Sequence, residues 1–570
     1  MLLINNKIKT LLIFLLACLY LSLCRTNVVV VGRSSNDETQ KRLNVLFLVI
    51  DDLRTSLGSY EYPQVHSPNI DQLAASSVQF ENAHAQQAVC GPSRISFLTS
   101  RRPDTTRLYD FKSYWRTHAG NFTSLPQHFK ENGYFTYSIG KVFHAGKASG
   151  KTDDYPYSWS KPAYHPSSEQ YKMEKVCPSA DGSLGMNLLC PVDVPTQPEG
   201  TLPDIQSADH AVEFLKNMST TPSEQPFFLG VGFHKPHIPL KFPAEYLDIY
   251  PLSDIDIAPN SYMPVRMPLV AYNPWTDIRR RDDMKLLNMS FPFGPVPHET
   301  QRQIRQHYYA ATTYMDAMVG KVLNQLEESG LANNTVVLFV SDHGWSMGEH
   351  GEWSKYENFD ITTKVPLLLH VPGITDQLHH HHRSEKFKFK NVFQRRSTLS
   401  SKVRHKSRNL VELVDIFPTL AEVCGLSIPP TCPPHPFNVE FCTEGASFAK
   451  HLYNVVDKNK FKDTPTKTAV FSQYPRPSLF PQSNSDLPDL ADIKIMGYTM
   501  RTHHHRYTEW VQFDPTTFKA NFSQVYAKEL YLHEGDPLEM VNVAEDSLYD
   551  KLIKSLSKRL VAGWREALIS

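Results

Sequence analysis

The chain has 570 residues, more than one hydrophobic core usually supports, so we expect one large domain and at least one smaller domain. Lysine plus arginine and aspartate plus glutamate both number 59, so the net charge is zero and gives no indication of a nucleic-acid partner. Any anionic ligand must therefore be bound by a local cluster of charge.

Residues 1–24 have the features of a secretory signal peptide. A basic start with Lys7 and Lys9 is followed by an apolar run from Leu11 to Leu23, which is too short to span a membrane comfortably. No later run is long enough for a membrane helix. We therefore expect a soluble mature protein that enters the secretory pathway and has no membrane partner.

An oxidising compartment favours disulfide bonds and glycosylation. We expect two bonds that close short loops, Cys177–Cys190 and Cys432–Cys442. Cys424 lies in a helical pattern and is interpreted as a buried thiol, which leaves Cys90 without a partner. Five Asn-X-Ser/Thr sequons predict glycosylated surface positions at Asn121, Asn217, Asn288, Asn333 and Asn521.

Strands alternate with helices along most of the chain, which predicts an α/β sheet. A helical pattern occurs around Ile70 to Ser76, and a long amphipathic helix is predicted from Glu299 to Ser329. Two long loops rich in proline and aromatic residues, Asp153 to Pro203 and Tyr250 to Pro297, are expected to build a pocket. The strand-length apolar runs are Asn44–Ile50, Phe135–Ile139, Phe227–Gly232 and Thr335–Val340.

The second half contains two polar segments. A basic segment from Arg383 to Arg408, preceded by His379 to His382, is interpreted as an exposed mobile insertion, with a patch for a polyanionic glycan as the alternative. A linker is predicted from Asp457 to Lys467. Residues 41–455 then form the large domain, and residues 468–570, with several strands and a final helix, form a smaller C-terminal α+β domain.

Acidic residues follow two of the apolar strands. Asp51 and Asp52 stand directly after Ile50, and Asp342 and His343 follow the strand that ends near Val340. Ligands of open α/β sheets bind at the carboxyl ends of the strands, and adjacent carboxylates repel each other unless a cation lies between them. The oxygen-rich ligand set predicts a hard divalent cation, Ca²⁺ or Mg²⁺, rather than Zn²⁺.

The string Cys90-Gly91-Pro92-Ser93-Arg94 resembles the signature of the type I sulfatases, in which the cysteine is oxidised to formylglycine. Asp51-Asp52, Gly140-Lys141-Val142-Phe143-His144 and Asp342-His343-Gly344 resemble further motifs of this family. The resemblance covers nearly the whole mature chain and implies an alkaline-phosphatase-like α/β fold with a mostly parallel sheet. Residues 41–455 would be the catalytic domain, and a formylglycine-generating enzyme would be a partner during synthesis.

The resemblance also implies roles for individual residues. One Ca²⁺ ion would be held by Asp51, Asp52, Asp342, His343 and the modified Cys90, although many sulfatases have Asp-Asn where this chain has Asp342-His343. Arg94, Lys141 and Lys355 would supply positive charge to the sulfate. His234 would be the general acid and His144 the base that releases sulfate from the second hydroxyl of the formylglycine hydrate.

Four longer strings resemble one lysosomal member of the family that acts on a sulfated uronic acid: Arg101–Asp110, His234–Pro239, Gly348–Trp353 and Ser472–Pro477. They imply exo-hydrolysis of a 2-O-sulfate at the end of a sulfated glycosaminoglycan in the lysosome lumen. Lys141, His234 and Lys355 would contact the substrate, with Trp345 and Tyr356 as pocket walls.

Several alternatives remain at this stage. A free catalytic thiolate at Cys90 would need a His/Asn arrangement that this stretch does not supply. The chain could also be another glycosaminoglycan or aryl sulfatase, a related phosphatase or phosphodiesterase, or a glycan-binding protein that has lost catalysis. The sequence makes no prediction of oligomeric state.

Overall fold

The largest element of the fold is a sheet of seven strands, six of which run in the same direction. The computed structural model describes residues 42–179, 181–220, 224–376, 386–394, 403–456 and 466–569. The predicted signal peptide lies outside these residues. The strands are β1 (Asn44–Ile50), β2 (Val78–His84), β3 (Phe135–Gly140), β4 (Phe227–Phe233), β5 (Thr335–Ser341), β6 (Lys364–His370) and β7 (His405–Glu412).

The strand order is β7-β2-β6-β5-β1-β4-β3, and β6 is the strand that runs antiparallel to its neighbours. Strand β1 lies between β5 and β4, and all seven of its residues are buried. Its alternate side chains enter two cores on opposite faces of the sheet, Leu46 and Leu48 in one and Val45 and Phe47 in the other. This explains the continuous apolar run, because a central parallel strand is covered on both faces.

Helices cover both faces of the sheet. The long helix spans His298–Glu328, as its periodicity predicts to within a residue, and packs against Pro203–Thr220 and Pro68–Ala75. Gly330, with φ of +69°, follows its end. The α-helices of the described chain are Pro68–Ala75, Cys90–Thr99, Pro103–Thr106, Trp115–His118, Leu125–Glu131, Pro203–Thr220, Thr276–Arg279, Asp282–Lys285, His298–Glu328, Asp360–Thr363, Ile416–Val423, Ala449–Val456, Asp550–Ala562 and Trp564–Ala567.

A second sheet near the C-terminus is antiparallel throughout. It contains β8 (Val470–Arg476), β9 (Ile495–Arg501), β10 (His505–Asp514) and β11 (Lys519–Leu532), paired in chain order. The helix Asp550–Ala562 packs its buried side chains Ile553, Leu556 and Leu560 against this sheet. The α/β class with an additional antiparallel sheet is therefore confirmed, and the domain boundary at residues 455–468 stays a prediction.

Three short strand pairs lie outside the two sheets. They are Cys177–Pro178 with Leu184–Gly185, Leu189–Val192 with Leu240–Pro243, and Ser346–Met347 with Trp353–Ser354. No helix among the described residues has both the length and the apolar character that a membrane crossing requires.

Two sequence-based interpretations are wrong in part. The end of the basic segment is not a mobile insertion, because residues 405–412 form β7, where Lys406 pairs with Glu61 at 2.6 Å. Lys467 is not a linker residue, because its buried ammonium contacts Glu412 and Asp415 at 2.5 and 2.6 Å. In both segments a charged residue that suggests an exposed loop forms an ion pair with a residue distant in the chain, which the sequence does not reveal. The predictions for His379 to His382, Arg395, Arg396 and Lys402 lie outside the described residues.

Candidate active site

The carboxyl ends of β1 and β5 meet, as expected for neighbouring parallel strands. The amide of Asp52 donates to Oδ1 of Asp342 at 3.1 Å. Ligand atoms of Asp51, Cys90, Asp342 and His343 all lie within 4.8 Å of one another, and all four residues are buried. The structure thus brings together residues that are up to 292 positions apart in the chain, which the strand order explains.

Cys90 is the first residue of the helix Cys90–Thr99, so its side chain lies at the positive end of a helix dipole. Its Sγ is 3.2 Å from Nζ of Lys355, 3.4 Å from Nε2 of His343 and 3.9 Å from Oδ1 of Asp52. Burial, together with Asp51, raises the pKa of the Cys90 thiol far above its usual value. A thiolate nucleophile is therefore unfavourable here, which argues against the free-thiolate alternative.

Two buried cations hold the carboxylates in place. Arg94 donates from Nε to Oδ2 of Asp342 at 2.8 Å and from Nη2 to Oδ1 of Asp51 at 3.1 Å. Nζ of Lys141 contacts the other oxygen of Asp51 at 2.5 Å. The backbone of Lys141 packs so closely on β4 that a Cβ at Gly232 would lie 2.0 Å from the Lys141 carbonyl oxygen. Glycine at this position is therefore required for the placement of Lys141.

The two adjacent aspartates differ in their protonation behaviour. Burial raises the pKa of Asp51, but Lys141, His237 and Arg94 outweigh burial and hold this pKa well below its usual value. Burial raises the pKa of Asp52, and Lys355 and His343 only partly oppose this effect. Oδ2 of Asp52 has no hydrogen-bond partner among the described residues. Buried carboxylate oxygens with one orphaned acceptor fit a hard divalent cation.

His237 is a member of this cluster that the sequence analysis missed. Its Nε2 lies 3.9 Å from Oδ2 of Asp52, and ligand atoms of His237, Asp51, Asp52 and Cys90 lie within 4.8 Å of one another. Its Nδ1 is 2.6 Å from the carbonyl oxygen of Ile238, which fixes Nδ1 as the donor and directs Nε2 toward the cluster.

His234, the predicted general acid, is held by two carboxylates. Its Nδ1 lies 3.2 Å from Asp204 and its Nε2 lies 3.3 Å from Glu169. Burial lowers the pKa of His234, but Glu169 and Asp204 outweigh burial and raise it to about 9. His237 is three residues further along the same predicted string. The sequence does not show which of the two histidines contacts carboxylates, because Asp204 and Glu169 approach the ring of His234 only in the folded protein.

The remaining predicted site residues lie around the cluster. His144 stacks on Phe111 with ring centroids 4.2 Å apart, and burial, followed by Lys141, holds its pKa well below the usual value. The Tyr356 hydroxyl donates to Asp277 at 3.0 Å. Trp345 is buried and stacks on Tyr308 at 5.4 Å, so it supports the site from within the core and does not line an open pocket.

The two predicted disulfide bonds are present. Cys177 is bonded to Cys190 and Cys432 to Cys442, with Cα atoms 5.0 and 4.9 Å apart. Cys424 is a buried free thiol, as expected. All five sequon asparagines, Asn121, Asn217, Asn288, Asn333 and Asn521, are exposed, and their glycosylation stays a prediction.

A buried carboxylate cluster at the strand ends, with a cysteine at a helix N-terminus between lysine and arginine side chains, defines a hydrolase site for an anionic ester. The family model described as Sulfatase matches residues 43–426, and the chain belongs to the sulfatase family. The divalent metal and the formylglycine at position 90 are features that this family implies.

Two relatives are similar over nearly their full lengths. The chain is 54% identical to iduronate 2-sulfatase of Mus musculus over 527 residues, which cover 92% of this chain and 94% of the mouse protein. It is 53% identical to iduronate 2-sulfatase of Homo sapiens over 534 residues, which cover 93% and 96% of the two chains.

Solved structures share the fold at low sequence identity. The phosphonate monoester hydrolase of Agrobacterium radiobacter has a TM-score of 0.63 at 20% identity, with 92% of this chain and 96% of that chain covered. A protein described as a 2-O GAG sulfatase has a TM-score of 0.57 at 19% identity, with 93% and 95% covered. These similarities support the alkaline-phosphatase-like fold.

Proposed function

We propose that this protein is an exo-sulfatase that hydrolyses the 2-O-sulfate ester of a terminal iduronate in heparan sulfate and dermatan sulfate. The observation that carries the proposal is 53–54% identity to two iduronate 2-sulfatases over more than nine-tenths of each chain. The cluster around Cys90 supplies the chemistry that such a reaction needs. We further propose that the protein works in the lysosome lumen, which the predicted signal peptide and the exposed sequons support.

Position 90 would carry formylglycine, made from Cys90 by a formylglycine-generating enzyme, and Asp51, Asp52 and Asp342 would hold one Ca²⁺ ion. When present, these groups supply a hydrated aldehyde with two hydroxyls and a cation that lowers the pKa of the attacking hydroxyl. His343 lies beside them, although a nitrogen ligand suits Ca²⁺ less well than oxygen. In this structure residue 90 is the unmodified cysteine, and its Sγ marks the position that the reactive group of a formylglycine would take.

The side chains of the protein offset the charge of the sulfate. Nζ of Lys355 lies 3.2 Å from Sγ of Cys90, and Lys141 and Arg94 each contact one carboxylate oxygen of Asp51. Burial lowers the pKa of Lys355, but Asp52 and Cys90 outweigh burial and hold it well above its usual value. A fixed ammonium in a dry site attracts the sulfate oxygens and stabilises the charge that develops during attack.

Proton transfer requires two different groups. We assign the general acid to His237, whose Nε2 is directed toward the cluster and can give a proton to the departing sugar oxygen. Burial and Lys355 hold the pKa of His237 well below its usual value, and an anionic substrate beside the ring opposes this shift. His144 is the proposed base, because its low pKa keeps the imidazole neutral at acidic pH.

The experiment that tests this proposal combines mass spectrometry with a substrate comparison. Protein from a cell that contains the formylglycine-generating enzyme is expected to show an aldehyde in the peptide that carries position 90. It should hydrolyse a terminal 2-sulfated iduronate disaccharide faster than a 6-sulfated glucosamine substrate or an aryl sulfate. Full activity with only unmodified Cys90 would contradict the mechanism, and preference for either other substrate would contradict the iduronate assignment.

A further inference from the structure

Three consecutive arginines near the active site have different environments. Arg279 packs over the ring of Trp275 at 3.5 Å and donates to main-chain carbonyl oxygens, including that of Pro274 at 3.0 Å. Arg280 is exposed. Arg281 is only 6% exposed, and its side chain makes no hydrogen bond or ion pair with any residue that the structure describes; its Nη1 is a buried donor without a partner.

This makes Arg281 an exception among the buried arginines of the described chain. A buried guanidinium without a partner is costly, because the charge loses its water and gains nothing in return. Every other buried arginine that the structure describes donates to a carboxylate or a carbonyl oxygen. These partnered residues are Arg54, Arg94, Arg101, Arg102, Arg305, Arg476, Arg501 and Arg506.

Arg281 lies next to the segment that carries Lys355. Four residues before it, Asp277 accepts hydrogen bonds from Ser354 at 2.7 Å and from Tyr356 at 3.0 Å, the two residues that flank Lys355. Burial lowers the pKa of Arg281, and Asp277, Asp283 and Tyr356 oppose this effect, which places these groups near the guanidinium.

The carboxylates near Arg281 are already engaged. Asp277 is bonded to Ser354 and Tyr356, and Asp283 accepts from the amides of Leu188 and Leu189 at 2.8 and 3.0 Å. The guanidinium therefore retains its donors for an anion that is not part of the protein.

We propose that Arg281 binds the carboxylate of the terminal uronate and is a specificity-determining residue of this site. The inference rests on the proposed function. A 2-sulfated uronate carries two anions, and the cluster of Lys141, Lys355 and Arg94 serves the sulfate. The planar fork of a guanidinium matches a carboxylate with two parallel hydrogen bonds, which an ammonium does not reproduce.

The test compares two substrates that differ only at the carboxyl group: a terminal 2-sulfated iduronate disaccharide and its analogue with that carboxylate reduced to an alcohol. Arg281→Gln is expected to lower kcat/KM about 10- to 100-fold on the carboxylate substrate and to leave the reduced analogue within about threefold. Arg281→Lys is expected to have a kcat/KM on the carboxylate substrate between that of the wild-type protein and that of Arg281→Gln. Arg280→Gln is the matched control and is expected to change neither value.

Thermal unfolding without ligand distinguishes this role from a structural one. Because the unpartnered charge destabilises the free protein, Arg281→Gln is expected to keep or raise Tm. An equal loss on both substrates, no loss on the carboxylate substrate, or a lowered Tm in the variant would overturn the proposal. Failure of the wild-type protein to release sulfate from the iduronate substrate would instead overturn the proposed function.

Discussion

The ammonium of Lys355 lies 3.2 Å from Sγ of Cys90, although 265 positions separate the two residues in the chain. The same Nζ is 2.7 Å from Oδ1 of Asp52, so one buried cation contacts both the candidate nucleophile position and a candidate metal ligand. A lysine held in this way cannot move far when substrate binds. Its charge is pre-organised for a reaction at position 90.

Replacing Lys355 tests this relationship. Lys355→Met is expected to lower kcat/KM for sulfate ester hydrolysis about 100- to 1000-fold, because a pre-organised charge at the reacting group is lost. Lys364→Met is the control, since Lys364 is half-buried at the start of β6 and makes no ion pair within the described chain. Steady-state kinetics with one substrate measures both variants. A Lys355→Met enzyme with more than about a third of wild-type kcat/KM would contradict the role of Lys355.

Removal of the metal should reduce stability as well as activity. Because a ligand that binds only the folded state at 100 times its Kd stabilises by about 2.7 kcal/mol, chelation is expected to lower Tm and added Ca²⁺ to restore it. Asp52→Asn is expected to abolish the response of Tm to Ca²⁺. The control is Asp71→Asn, a buried carboxyl outside the site whose pKa burial raises to about 6. Equal Tm values with and without chelator in the wild-type protein would contradict a bound cation.

The assignment of the general acid to His237 predicts a dependence on the leaving group. His237→Gln is expected to lower kcat/KM about 100-fold or more on the sugar sulfate, whose departing oxygen needs a proton. An aryl sulfate with an acidic phenol needs little protonation and should lose much less. His234→Gln is the comparison, since both ring nitrogens of His234 contact carboxylates. Equal losses on the two substrates in His237→Gln would remove this role.

His234 should instead affect the pH dependence of stability. Glu169 and Asp204 raise its pKa in the folded protein to about 9, above the usual value of 6.5. The protonated ring therefore contributes stability that is fully present below about pH 6.5 and is lost as pH rises toward 9, by up to about 3 kcal/mol. Urea unfolding across this range should show a smaller decline in His234→Gln. Parallel curves for both proteins would contradict the prediction.

Much of the fold could be predicted from the sequence because its signals are local. The apolar run Asn44–Ile50 follows Arg42 and Leu43 and ends directly before Asp51, and β1 has the same limits. The signature at Cys90 and the acidic strand ends also identify the site. The prediction of His234 as the general acid is untested, and the sequence could not show that Glu169 and Asp204 contact this ring and not that of His237, because only the tertiary fold brings them together. The prediction that Lys467 belongs to a linker is wrong because its partners, Glu412 and Asp415, are more than 50 positions away in the chain.

Two adjacent buried glutamates predict a protein that is more stable in acid. Both carboxylate oxygens of Glu357 are buried without a hydrogen-bond donor among the described residues, and the carboxyl group of Glu352 lies close enough to affect the pKa of Glu357. Burial raises the pKa of Glu352 to about 7, and burial together with Glu352 raises the pKa of Glu357 well above its usual value. Because both folded-state pKa values exceed the unfolded value of 4.5, the stability is complete below about pH 4.5 and is lost as pH rises through 7.

Glu357→Gln supplies a donor that does not titrate and relieves the repulsion between the two carboxylates. The variant is expected to lose less free energy of unfolding between pH 5 and pH 8 than the wild-type protein, by up to about 3 kcal/mol. Urea unfolding at the two pH values measures this difference, and the exposed Glu534→Gln is the matched control. The same decline in both proteins would show that the glutamate pair does not set the pH dependence. A smaller decline in Glu357→Gln would show that the glutamate pair accounts for part of the stability that the wild-type protein loses as pH rises.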